Sequence, residues 1–518
     1  MCPLGRRINN VAAIVPAPST DSDDTVERRS DAAQPDLLDS SEAGASVIRG
    51  SVLRLAGHVL GALAAVAASA VVIRHLGVVD TGRFVTVLSL VVIAGSISDL
   101  GLSAVGVREY AVRPRPEGHR LLRNLLGMRL AFVVAGVVLA TIFAAVAGYT
   151  DVMVLGTVVA GVGMTLFVTQ QSLAIPLHVR LRFGAVAGLV LLGQVGVAVV
   201  AALLAVAGAG LLAFFAMNIP IMAAVLVLTV VVGGGEMRVL PAFDGIEWRR
   251  LLGRILPYSA AVVLSVLYFR VAQVMVSLLS SGTQTGYFGV SFRVLETLTT
   301  IPPLLVSSAL PILARAARDD ADRFAYAGRR LAETMLIAGI GLALVLFLGA
   351  QICIDVVAGP GFEPSVEVLR ILACALVGTF VIAARGYALL SLNSMRAILV
   401  SNAVALGVVA VAGVPLISAH GATGAAITLL TAELTLAVCY EVALTRTRRG
   451  LRMAPGFLAR VLVATIAALP VVLLDLSPVV ATAIGTVVYG GVLLALGAVP
   501  GELRQALRPL RPPGAGAA

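Results

Sequence analysis

The sequence predicts an all-α polytopic membrane protein with fourteen transmembrane helices. They are expected as two six-helix lobes related by a pseudo-two-fold axis, followed by two C-terminal helices. Three observations carry this expectation. First, 59% of the 518 residues are hydrophobic, 13% are charged and the mean hydropathy is +1.00, more apolar surface than a soluble chain of this length can bury. Second, apolar stretches of about 20 residues recur, the length that crosses a bilayer core. Third, arginines fall in alternate loops, as the positive-inside rule requires. A β-barrel would show short alternating segments instead.

The apolar runs lie at 51–73, 84–105, 126–149, 152–175, 183–207, 210–233, 254–279, 285–312, 331–355, 366–391, 396–417, 420–443, 456–475 and 477–498. With a cytoplasmic N-terminus, the even-numbered connections are inner loops. They hold, among others, Arg108, Arg113, Arg120, Arg180, Arg182, Arg249, Arg315, Arg323, Arg396, Arg446 and Arg452. The outer loops and margins hold only Arg74, Arg83 and Arg370. A wrong helix count would scramble this alternation, so the expected topology is N-in and C-in.

The residues outside the spans divide the chain further. Residues 1–46, with "PAPSTDSDDTVERRSDAAQPDLLDSSEAG", are rich in Pro, Ser and Asp and read as a disordered cytoplasmic tail. They lack the apolar core and small-residue cleavage site of a signal peptide. The expected divisions are an N-terminal lobe at 48–235, a C-terminal lobe at 250–445, two further spans at 455–500 and a cytoplasmic tail at 501–518.

Composition also excludes chemistry. All 38 basic residues are arginine. Without lysine there is no Walker A loop and no Schiff-base amine. The net charge of +10 is loop topology and not a nucleic-acid footprint. Cys2, Cys353, Cys374 and Cys439 form no C-x-x-C pair, so metal and redox sites are not expected. Cys374 and Cys439 read as small core residues. The outer connections, such as "AGAG" at 207–210 and "SSGTQTG" at 280–286, are too short to hold a catalytic loop, which disfavours a membrane enzyme of polyprenyl–sugar metabolism. No cofactor is expected.

Two stretches repeat. Thr81-Gly82-Arg83-Phe84 and Thr285-Gly286-Tyr287-Phe288 each open the second helix of a lobe. Both lobes begin on the same side, so they are expected to be parallel repeats about an axis along the membrane normal.

The segment "VVIRHLGVVDTGRFVTVLSLVVIAGSISDLGLSAVGVREYA" at 71–111 resembles the opening of polysaccharide flippases. These belong to the multidrug/oligosaccharidyl-lipid/polysaccharide exporter superfamily. The resemblance rests on Arg74, Leu76, Gly77, Gly82, Phe84, Asp99 and Gly101. Residues 256–298 resemble the family's second-lobe opening, and "AGPGFEPSVEVLRILACA" at 358–375 resembles the segment entering helix 10. The usual Gly-Tyr of the first turn is Gly82-Arg83 here. The resemblance covers roughly 48–500. It implies a V-shaped pair of lobes around a central cavity, alternating access and a lipid-linked oligosaccharide substrate on a polyprenyl diphosphate. It places the protein in the plasma (inner) membrane, in cell-surface polysaccharide synthesis such as that of lipopolysaccharide. The partners expected on that reading are membrane lipids and a polysaccharide polymerase or glycosyltransferases. The rivals are a lipid II flippase and a cation-coupled drug antiporter. The antiporter would have twelve helices and an acidic cavity.

Charges inside apolar runs are the candidate site residues, because an intramembrane arginine costs about 2.5–3.5 kcal/mol on insertion scales. Arg270 and Arg293 lie at similar depth on adjacent helices, about 13 and 12 Å from the outer ends. Two guanidiniums could clamp a diphosphate. Glu296, on the same helix face as Arg293, could instead neutralise it. Asp99 reads as a cation site or a cap for a helix break before Gly101. Glu433 reads as a proton-coupling group or the partner of an arginine. Arg385 reads as a functional charge or one that snorkels inward. Arg74 and Arg83 flank the outer mouth. His58 reads as a packed polar residue. Gly57-x-x-x-Gly61 and Gly184-x-x-x-Gly188 could mark close helix approach.

Overall fold

The computed structural model describes residues 41–499 except 100, 101, 181, 235–239, 308, 448 and 475. The tails predicted at 1–46 and 501–518 therefore lie largely or wholly outside the described residues. The chain divides into two compact units, 1–51 and 52–518, and the architecture below belongs to the second apart from the start of α1, residues 41–51. Among the described residues every regular element is helical.

The first half comprises α1 (Ser41–Asp99), α2 (Leu102–Val112), α3 (Arg115–Val146), α4 (Asp151–Leu173), α5 (Ile175–Val179), α6 (Phe183–Val206), α7 (Leu211–Ala216) and α8 (Asn218–Gly233). The second comprises α9 (Gly245–Leu279), α10 (Gly282–Leu298), α11 (Ile301–Ser307), α12 (Leu310–Asp319), α13 (Ala321–Leu348), α14 (Ala350–Val357), α15 (Ser365–Ser391) and α16 (Met395–Thr447). Then follow α17 (Pro455–Ala468) and α18 (Pro478–Ala495).

Ten of the described helices are long and apolar enough to cross a membrane. Two of them are folded back on themselves. In α1 the break is Gly77, at φ 72°, and the hydroxyl of Thr81 then reaches the Ile73 carbonyl at 3.4 Å. In α16 it is Gly421, at φ 56°, and the Cβ position of Gly413 then lies 3.3 Å from Thr428. Only a glycine takes that backbone without a Cβ clash. Each of these helices therefore holds two of the predicted spans.

The expectation of fourteen separate spans is not reproduced as such. The eighth, predicted at 285–312, is broken into α10, α11 and α12, with Pro302, Pro303 and Pro311 near the breaks. The thirteenth is α17, 14 residues long, continuing as a 3-10 turn at Leu469–Leu473 with Pro470 inside it. Proline removes a backbone donor and crowds the preceding turn, so hydropathy runs through where the helix does not.

Polar caps and tertiary contacts fix the remaining entries. Asp244 accepts from the backbone N–H groups of Ile246 and Glu247 at the start of α9. Asp320 does the same for Asp322 and Arg323 at α13. One apolar core joins the two halves, with Phe84, Phe214 and Phe215 packed together with Phe288, Phe292 and Phe380. The glycines of the G-x-x-x-G patterns whose surroundings are described make no close helix contact. A Cβ on Gly184 or Gly188 would meet nothing within 4 Å, and one on Gly61 would meet only the Gln194 side chain. Cys374, expected in the core, is exposed, and Cys439 is intermediate.

Candidate functional site

A cavity of about 600 Å³ lies against the first half of the chain. Both arms of α1 line it, through Ala65, Ser69 and Val72 on one and Phe84, Leu88 and Val91 on the other. The folding back at Gly77 makes that possible. The helices α4, α6 and α8 add a wall that is apolar except for Gln170, Gln171, Gln194 and Asn218. The second half contributes Arg270, Arg293 and Glu296.

Those three residues form one cluster. Arg270, on α9, donates through Nη2 to Glu296 Oε1 on α10. Arg293 donates through Nη1 to Glu296 Oε2 at 2.8 Å, and through Nε to Ser69 Oγ at 3.2 Å. The guanidinium of Arg270 also lies over the Phe292 ring, 5.6 Å from its centroid. One carboxylate thus orders two guanidiniums, and the cluster keeps a net positive charge. The side chain of Arg270 is 9% exposed and that of Arg293 34%, so the second is the more open to an incoming anion. Arg270 and Arg293 converge on one cavity, as the depth argument expected. Glu296 neutralises part of their charge, as the helix spacing allowed.

The other candidates lie away from this cavity. Arg74 donates to the carbonyls of Asp355 and Val356, at 2.9 and 2.6 Å, at the end of α14. It ties the first half to the second at the face bearing residues 74–83. Arg83 pairs with Asp80 at 2.9 Å, with both side chains well exposed. Arg385 does not snorkel. It is fully buried and lies 2.6 Å from Glu441; α15 packs against α16 and α13, so helices and not water surround it. Asp99 pairs with Arg129 at 2.9 Å. Gly101, where a helix break was expected, lies outside the described residues, and α1 ends at Asp99. His58 lies where side chains are not described. Glu433 is buried and accepts from Tyr268 at 2.9 Å and Thr379 at 3.0 Å. Its partners here are hydroxyls, and not the arginine that one of its two readings offered.

Sequence reasoning missed Ser69, Phe292 and the amide side chains. The signal for the amides was present, because Gln194 sits alone in an apolar run and Gln170 and Gln171 sit side by side in another, where an uncharged polar group also needs a partner. Nothing in the sequence singles out Ser69 from other small residues.

A sequence model of the family described as "Polysaccharide biosynthesis protein" matches residues 71–367, more than half of the chain. The chain belongs to this family. The match takes in the second arm of α1, most of the cavity lining and Arg270, Arg293 and Glu296, while Ala65, Ala68 and Ser69 lie before it. No curated protein matches it in sequence. Among solved structures it resembles a lipid II flippase, MurJ, in an inward closed conformation. That match has a TM-score of 0.69 at 13% identity and covers 89% of this chain and 100% of the other. It also resembles an inward-facing multidrug resistance MATE family transporter of the MOP superfamily, with TM-score 0.61 at 13% identity over 77% and 98% of the chains. A MOP superfamily transporter from Pyrococcus furiosus, described as having a binding pocket of reversed polarity, matches with TM-score 0.53 at 15% identity over 79% and 96%. At these identities the likeness establishes the fold alone, one that this chain shares with those proteins.

Proposed function

We propose that this family member is a flippase that moves a polyprenyl-diphosphate-linked oligosaccharide from the inner to the outer leaflet. The observation that carries the reading is the Arg270–Glu296–Arg293 cluster on the cavity wall. A diphosphate offers the paired oxygens that a guanidinium fork recognises. It carries more charge than Glu296, so it displaces that carboxylate from one or both arginines. The sugars then face the amide side chains across the cavity, and the polyprenyl tail stays in lipid. Transport requires that the bound anion favours an occluded arrangement over the open ones, since a ligand with equal affinity for all states shifts nothing.

The arginine-rich loops are placed on the cytoplasmic side of the plasma membrane, with both termini inside. Glu433, buried among hydroxyl donors, is the candidate for coupling transport to a proton. No catalytic step is assigned to the chain. A polymerase or glycosyltransferases would act on the delivered lipid.

Family membership favours a polysaccharide precursor. The likeness to a lipid II flippase supports lipid II as the second reading. Removing the gene and identifying the lipid-linked sugar that accumulates on the inner leaflet separates them. A polyprenyl-diphosphate oligosaccharide is expected. Accumulated lipid II would favour the second reading, and no accumulated intermediate would overturn both.

A further inference from the structure

A second cavity, of about 530 Å³, lies far from the first in sequence, between the two ends of α16. Because α16 folds back at Gly421, its first and last turns stand at the same membrane face. Arg396 comes from one and Arg446 from the other, and both line this groove. Both are exposed. Among the described residues, the ion pairs of this half of the molecule, made by Glu296, Glu333 and Glu441, use neither. The lining residues include no carboxylate.

Arg396 stands in the first turn of α16, where no acidic residue accompanies it. The helix dipole disfavours a cation at that end. A bound anion would offset both that position and the approach of the second arginine. Away from the arginines the groove is lined by Val400, Val404 and Val442, which are 53%, 43% and 39% exposed. Cationic head and apolar trough run together, which is the pattern of a phospholipid and not of a soluble anion. A single snorkelling arginine needs no such groove.

We infer that this groove is a binding site for an anionic phospholipid of the inner leaflet. The phosphate sits between Arg396 and Arg446, and an acyl chain lies along the three valines. The site is separate from the transport cavity and does not depend on which lipid-linked sugar that cavity carries.

The test uses the full chain purified in detergent, with thermal unfolding followed against added phosphatidylglycerol, phosphatidylcholine or inorganic phosphate. Phosphatidylglycerol should raise the unfolding temperature by about 2 °C or more, and the other two should not. The R396A/R446A double variant should lose that shift, and R396K/R446K should keep part of it. An R318A/R323A variant removes the same charge elsewhere and should keep the shift in full. An equal response to phosphatidylcholine, an equal response to inorganic phosphate, or no response at all would overturn the site. So would an equal loss in R318A/R323A, which would mean diffuse charge attraction.

Discussion

Gly82 and Gly286 meet backbone to backbone: a Cβ on Gly82 would stand 2.7 Å from the Gly286 nitrogen. The two Thr-Gly-x-Phe stretches therefore repeat and also touch. In each, Thr and Phe are buried, Thr81 and Phe84 in one and Thr285 and Phe288 in the other. The glycine lets the two helix starts approach more closely than any side chain allows. With Arg74 bound to the end of α14, this contact joins the two halves at the face bearing residues 74–83.

Opening and closing of that face can be trapped. Val79 stands beside Gly282, 3.2 Å from its Cβ position, so cysteines at 79 and 282 in a cysteine-free background should crosslink. The crosslink should stop export until it is reduced. Gly286→Val should prevent both the crosslink and export, since overpacking costs about 1–3 kcal/mol, an about 5- to 150-fold loss in the closed population. A Gly286→Val variant that crosslinks and exports normally would remove the gate.

Arg270→Ala should lower export by about 10- to 150-fold, matching the about 1.5–3 kcal/mol of a hydrogen bond to a charged group. Membrane insertion should stay normal, because Glu296 keeps Arg293 as its partner and no carboxylate is left alone. Arg270→Lys should recover only part, since it keeps the charge without the planar fork. Restoration of export by R270A/E296Q would show that Arg270 serves only to balance Glu296.

Arg385→Ala should be destabilising. It removes a fully buried side chain and leaves the partly exposed Glu441 without its partner, at a cost of about 1–3 kcal/mol. The yield of folded protein and its unfolding temperature should both fall. R385L/E441L should recover most of the loss. A large export defect in a fully stable Arg385→Ala would instead place this arginine in transport.

Glu433→Gln should preserve the fold, since the amide oxygen accepts from one of the Tyr268 and Thr379 hydroxyls and the amide NH2 can donate to the other. Loss of transport driven by a pH gradient, with substrate binding intact, is the outcome that coupling requires. Unchanged gradient-driven transport would leave Glu433 as a structural acid.

Topology is checked by labelling. Cysteines at the exposed positions Thr283 and Ala419 should react with an impermeant thiol reagent from outside intact cells. One at the exposed Arg318 should not. Labelling at 318 alone would invert the proposed orientation.

The sequence by itself determined the class of this protein and the order of its spans. Hydropathy over about 20 residues needs no partner to be read, and arginine placement reports topology loop by loop. It also located Arg270, Arg293 and Glu296, because a charge in an apolar run stands out whatever surrounds it. Pairing is a different kind of fact. Whether Glu296 serves one arginine or two, or whether Glu433 faces a cation or two hydroxyls, depends on how α9, α10, α15 and α16 rotate against each other, and only tertiary packing sets that. Arg385 shows the same limit: its place in the chain allows snorkelling, and the helices around it forbid it. Helix continuity was likewise decided in three dimensions, by prolines within the eighth and thirteenth spans and by glycines that fold α1 and α16 back. The repeated Thr-Gly-x-Phe was visible as a pattern. Its physical reason, two backbones that need the same space, exists only where α1 and α10 touch.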